Sequence, residues 1–216
     1  MMRILLLTAA ATTALSLAAC HKNTQGNAVV AEGNTASSTM SSANPGQSAP
    51  VNAAQDATAA AVGATSAATM GAHDTGAFVD NVTQGNMYEI KAAQIAEQKS
   101  KSPDVKTFAK LMVTDHTAMA NELKPLIAKA GKTPAAALDQ RRQGLLDNLS
   151  AASAQDFDKT YIDQQVSAHE ETLSLLKGYA DNGDDAGLKA AAGKAAAKVQ
   201  SHLDKAKAIQ AKLAGG

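Results

Sequence analysis

Apolar residues recur at alternating spacings of four and three along four long segments of this 216-residue chain, and this pattern constrains the fold more than any other feature. The spacing is that of a heptad, which places apolar side chains along one stripe of an α-helix. Residues 77–216 show no alternation of apolar and polar residues of the kind that a half-buried strand requires. The pattern therefore predicts an all-α protein in which four helices pack with their stripes inward as a four-helix bundle.

Recognisable signals bound the four stripes. Ser102-Pro103 is an N-cap followed by proline at the first helical position, and residues 181–184 form a turn before the last stripe. The stripes contain, in chain order, Phe78, Val82, Gly85, Glu89, Ala92 and Ala96; Val105, Phe108, Met112, His116, Met119, Leu123 and Leu126; Ile162, Val166, His169, Leu173, Leu176 and Ala180; and Leu188, Ala192, Ala195, Val199, His202, Ala206, Ile209 and Leu213.

The connections between the stripes indicate the topology. Short loops join the first predicted helix to the second and the third to the fourth, which makes each pair an antiparallel hairpin. The longer connection between the pairs contains a short extra helix that we predict from Thr133-Pro134 to Leu149. This connection can cross the bundle lengthwise or fold over one end, and the sequence leaves both open. Pro125 predicts a kink or an early end of the second helix near Lys124.

The first 19 residues predict a signal peptide, because the positive Arg3 precedes an apolar stretch over residues 4–17. The segment Leu17-Ala18-Ala19-Cys20 resembles the bacterial lipobox, which predicts cleavage before Cys20 and lipidation of its thiol. The residue after the cysteine is His21 and not aspartate, and in this the segment resembles lipoproteins that are sorted to the outer membrane. We therefore expect the membrane to be a partner through the N-terminal lipid, with the domain in the periplasm. An ordinary signal peptide that leaves Cys20 free is the alternative.

A tether is predicted over residues 20–76, which are mostly small and polar and carry few charges. Such a segment buries too little apolar surface to offset its ordering entropy, so we expect disorder, with Ala53–Ala68 at most a fraying helix. Residues 77–216 then form the bundle domain. Without residues 1–19 the chain has 19 basic and 20 acidic side chains. This balance argues against nucleic acid as a partner, because nucleic-acid binding requires a basic surface.

Four polar residues occupy stripe positions near the middle of the four predicted helices: Glu89, His116, His169 and His202, here called the quartet. Residues at mid-helix lie at similar heights whichever way a neighbouring helix runs. The quartet is therefore expected to meet in one layer of the core. Burial of such groups is costly unless they are paired, hydrogen-bonded or bound to a metal.

Several interpretations of the quartet remain open. Three imidazoles and one carboxylate suit a mononuclear site for a transition metal such as zinc or copper, and the flanking Met112 and Met119 favour copper. A di-iron site is excluded, since valine stands three residues before each of the three histidines and no Glu-x-x-His pair exists. The alternatives are a buried hydrogen-bond layer in which Glu89 accepts from imidazoles, and a site for a small ligand or substrate.

A spaced set of motifs resembles the bacterial family named domain of unknown function 4142, over about Ala77 to Leu213. The set comprises Glu89-Ile90; Phe108-Ala109 and Asp115-His116; Asp156-Phe157-Asp158 with Tyr161 and His169; and His202-Leu203. The resemblance implies a ferritin-like four-helix bundle in an exported, often membrane-attached protein without an established activity.

These observations predict an exported lipoprotein whose helical bundle is a metal-binding or stress-related module of the envelope. The alternative is a structural or interaction domain with a buried His/Glu hydrogen-bond layer. The sequence favours a non-enzymatic protein, because it contains no nucleophile triad, phosphate loop or dinucleotide fingerprint.

Overall fold

The computed structural model describes residues 48–69 and 71–215, and within them every regular element is an α-helix. The predicted signal peptide, Cys20 and the tether up to residue 47 lie outside the described residues. The helices are α1 (Ala49–Thr69), α2 (Thr75–Lys99), α3 (Pro103–Lys129), α4 (Gln140–Ala151), α5 (Phe157–Asn182) and α6 (Ala186–Ala214). The predicted all-α class is confirmed. Across the described ranges, no helix is both long enough and apolar enough to span a membrane.

The four predicted bundle helices are α2, α3, α5 and α6. The pairs α2–α3 and α5–α6 are hairpins, and the contacts α2–α5 and α3–α6 close the bundle. Most stripe residues are buried in its core, including Phe78, Met112 and Leu176.

The connection between the hairpins crosses the bundle lengthwise. Phe78 near the start of α2 stacks on Tyr179 near the end of α5, with ring centroids 3.9 Å apart, so α2 and α5 are antiparallel. Since α2 and α3 are also antiparallel, α3 and α5 run in the same direction. The chain must therefore return along the bundle after α3, and Lys99 at the far end of α2 donates to the carbonyl of Ser150 in α4 at 2.6 Å. The structure thus decides the topology that the sequence left open.

The predicted start of the short helix in this return segment is wrong. Thr133-Pro134 does not start a helix; α4 begins at Gln140, where the Asp139 side chain caps it by accepting from the Arg142 amide at 2.6 Å. The preceding segment is held instead by α2, since the Asp139 amide donates to the Gln84 side chain. Of the two outcomes predicted at Pro125, an early end near Lys124 is wrong, because α3 continues to Lys129, and a kink stays a prediction.

Helix α1 is the main departure from the sequence prediction. Residues 49–69 were assigned to the tether, but they form a helix that packs on α5 and α4. Its buried positions are Ala59, Gly63 and Ala67, one per turn. A Cβ at Gly63 would lie 1.9 Å from a carboxylate oxygen of Glu171, so a larger residue there would displace the paired side chains of Glu171 and Arg141. Small residues give little hydrophobic signal, and the contact they allow becomes visible only in the folded structure.

Candidate metal centre

Three members of the quartet meet in the bundle core. His116 on α3, His169 on α5 and His202 on α6 are each at most 2% exposed. Their ring centroids are separated by 5.5–5.6 Å. One ring nitrogen from each residue lies within 4.8 Å of the nitrogens of the other two. The heptad positions therefore bring three imidazoles from three helices to one point.

Each of these imidazoles has one nitrogen held by a hydrogen-bond acceptor. His116 Nδ1 donates to Asn86 Oδ1 at 2.9 Å, and His202 Nε2 donates to Asp115 Oδ2 at 2.8 Å. His169 Nδ1 donates to the backbone carbonyl of Gln165 at 2.8 Å. Because all three partners are oxygen acceptors, these contacts determine which nitrogen carries the proton in a neutral ring.

The second nitrogen of each ring is buried and has no hydrogen-bond partner among the described residues. These atoms are His116 Nε2, His169 Nε2 and His202 Nδ1. In the tautomers set by the hydrogen bonds, each of them carries a lone pair and no proton. Three unused lone pairs in an apolar core are the donor set that a transition-metal ion requires.

Glu89 lies at the edge of this cluster and is not one of the converging groups. Its Oε1 is 3.6 Å from His169 Nδ1, on the proton-bearing side of that ring. Its Oε2 accepts a hydrogen bond from Gln165 Nε2 at 2.7 Å. The structure therefore brings Glu89 close to the three histidines, as predicted. Its carboxyl group, however, is next to the proton-bearing Nδ1 of His169 and not next to the unpartnered Nε2.

Burial makes the whole quartet neutral near pH 7. Desolvation, together with the neighbouring His202, lowers the pKa of His169 to about 4, and burial also lowers the pKa values of His116 and His202. Desolvation raises the pKa of Glu89 to about 8, although the hydrogen bond from Gln165 opposes the shift. Neutral imidazoles are the form that binds metals.

The residues that orient the histidines were missed by the sequence analysis. Asp115 directly precedes His116, so its side chain leaves the α3 stripe. It accepts from His202 on the adjacent α6 and also from Lys198 at 3.0 Å. Asn86 and Gln165 carry no motif that would identify them. The available signal was their spacing, since each lies three or four positions before a stripe glutamate or histidine and therefore on the same helix face.

The described residues fit a mononuclear transition-metal site. Three imidazoles suit zinc or copper, and hydrogen bonds to oxygen acceptors are the usual support for metal-binding histidines. Met112 and Met119 are buried one turn before and after His116 on the same helix face. The arrangement would leave room in the coordination sphere for a fourth ligand, as in sites with three protein ligands.

Comparison with known proteins identifies a family, and the description of that family names no activity. A family model described as "Domain of unknown function (DUF4142)" matches residues 47–209. The match begins ahead of α1 and includes all six helices over most of their length. Neither the curated proteins nor the solved structures gave a match.

Proposed function

The chain belongs to the DUF4142 family, and we propose that its bundle is a binding module for one transition-metal ion held by His116, His169 and His202. The observation that carries the proposal is the convergence of three buried imidazoles, each of which has one ring nitrogen without a hydrogen-bond partner among the described residues. Zinc and copper are the metals of choice, since imidazole nitrogen is a good ligand for both.

A purely structural hydrogen-bond layer accounts less well for the same geometry. In that alternative Glu89 accepts from the imidazoles, yet its nearest imidazole nitrogen is 3.6 Å away. Each buried polar atom without a partner costs about 1–3 kcal/mol, and the three histidines contain three such atoms. A metal ion would satisfy all three at once.

Asp115 is expected to tune the affinity of this site without touching the metal. It would hold the His202 ring in the tautomer that leaves Nδ1 free. Loss of such a supporting hydrogen bond weakens metal binding by about 10- to 100-fold. We expect Asp115→Ala, which removes the acceptor, to show a loss of this size for Zn(II) in competition titrations with a chromogenic chelator.

A matched control separates this effect from loss of a surface ion pair. Lys198→Ala removes the other partner of Asp115, and its side chain is 43% exposed. Exposed pairs contribute little, so this variant should change the Zn(II) affinity less than about threefold. Equal affinities for Asp115→Ala and wild type would rule out the supporting role of Asp115.

We also propose that the module is tethered to the outer membrane through lipid on Cys20 and faces the periplasm. The sequence of residues 17–20 supports this proposal. Two or three acyl chains suffice for stable anchoring without a spanning helix. In cells fed radiolabelled palmitate, the wild-type chain should carry label and Cys20→Ala should carry none. An unlabelled wild-type chain would contradict lipidation.

A further inference from the structure

A cavity of about 550 Å³ lies among α1, α2, α4 and α5, and of the quartet only Glu89 lines it. Its volume falls within the range of small-molecule sites, about 300–1,000 Å³. Alanine methyl groups of α1 and the side chain of Leu145 supply apolar lining, while no histidine lines it. The cavity exists because α1 packs on the bundle, and a disordered tether over residues 49–69 would not form its wall.

Asp56 presents a rigidly held carboxylate in this cavity. Its Oδ1 accepts from Asn148 Nδ2 and its Oδ2 accepts from Gln164 Nε2, both at 2.6 Å. Gln164 is itself fixed, since its Oε1 accepts from the Tyr88 hydroxyl at 3.0 Å. Side chains from α2, α4 and α5 thus determine the position of one carboxylate on α1. Asn148 is only 3% exposed, and its own Oδ1 has no donor among the described residues.

No cation lies within ion-pair distance of Asp56 among the described residues. The two arginines that line the cavity are already paired, because Arg141 and Arg142 both bind Glu171 at 2.7–2.8 Å. Desolvation raises the pKa of Asp56 although the hydrogen bonds from Asn148 and Gln164 oppose the shift, and the charge of nearby Asp163 adds to the increase. A partly buried carboxylate with no counter-ion is unfavourable unless a cation arrives.

We propose that this cavity binds a small aliphatic amine, with its ammonium paired to Asp56 and its hydrocarbon chain against the alanine-lined wall of α1. An ammonium supplies the missing positive charge and hydrogen-bond donors. An anionic ligand is disfavoured, since Glu171 occupies both arginines, Lys159 pairs with Asp163, and the lining contains more acidic than basic side chains. The aromatic ring of Tyr88, which also lines the cavity, is a suitable neighbour for an organic cation.

Calorimetric titration of the full, chelator-treated chain tests the proposal independently of any metal. The probes are n-butylamine and 1,4-diaminobutane, with butan-1-ol and butyrate as matched neutral and anionic compounds. The amines are expected to bind at least tenfold more tightly than the two matched compounds. Asp56→Asn should remove this preference, while Asp204→Asn, an exposed acid on α6 away from the cavity, should leave it unchanged.

A second variant keeps the test decisive if Asp56→Asn fails to fold. Ala60→Leu fills part of the cavity and leaves every charge in place, so it should weaken amine binding at least tenfold. Circular dichroism establishes that each variant is folded. Equal binding of amine and alcohol by the wild-type chain, or unchanged amine binding in both folded variants, would overturn the proposal. Metal binding at the histidines would be unaffected by either result.

Discussion

His169→Ala is expected to abolish the stoichiometric binding of Zn(II) or Cu(II) by the purified chain. The substitution removes one of three convergent ring nitrogens and leaves two. Since loss of a mere supporting hydrogen bond costs about 10- to 100-fold in affinity, loss of a ligand should cost more than about 100-fold. The measurement is calorimetry at pH 7 on chelator-treated protein, where the wild type should bind one equivalent. At this pH the three imidazoles are neutral, so protons compete little with the metal ion for their ring nitrogens.

His73 provides the matched control for this experiment. It is exposed, it lies in the turn between α1 and α2, and it is remote from the cluster along the chain. His73→Ala should therefore retain one equivalent of metal at wild-type affinity. Metal binding that survives in a variant lacking His116, His169 and His202, or a wild type that binds no metal, would refute the proposed function.

Glu171→Ala is expected to cause the largest loss of stability, about 3–5 kcal/mol in the free energy of unfolding. The Glu171 carboxylate binds Arg141 through two hydrogen bonds and Arg142 through a third. The side chains of all three residues are at most 12% exposed. Removal of the carboxylate would leave two buried guanidinium groups with less compensation, and it would loosen the contact with α1 at Gly63.

The adjacent Glu170 makes a closely matched control for this measurement. It lies on the same helix and pairs with Lys207, but its side chain is 53% exposed. Glu170→Ala should therefore cost at most about 1 kcal/mol. Urea unfolding followed by circular dichroism reports both values. A Glu171→Ala variant within 1 kcal/mol of Glu170→Ala would show that the buried cluster does not hold α1 and α4 against the bundle.

Local spacing was sufficient to predict the four bundle helices and the inward direction of three histidines. The N-cap at Ser102 is confirmed by its hydrogen bond to the Val105 amide. Gly131 follows the C-cap residue Ala130 of α3 with a positive φ of 69°, a left-handed conformation that favours glycine at this position. Signals of this kind act within one or two turns of the chain, and one sequence contains them in full.

The parts that sequence analysis missed depend on contacts between distant segments. Helix α1 carries little apolar signal, and it is held by the Arg141–Glu171 pair and by close approach at Gly63. The start of α4 was misplaced because side chains of α2 bind the preceding backbone. Neither effect leaves a periodic pattern in the sequence.

The sequence by itself determined which face of each of the four bundle helices is directed to the core, because helical periodicity assigns each residue to a face of its own helix. Only the tertiary structure decided what those side chains meet. The lengthwise crossover after α3 sets α2 against α5 and α3 against α6. It thereby joins Asp115 to His202, places Glu89 beside the proton-bearing nitrogen of His169, and brings one ring nitrogen of each of the three histidines within 4.8 Å of the other two. Periodicity fixes a direction within one helix, whereas a binding site depends on the relative placement of several helices.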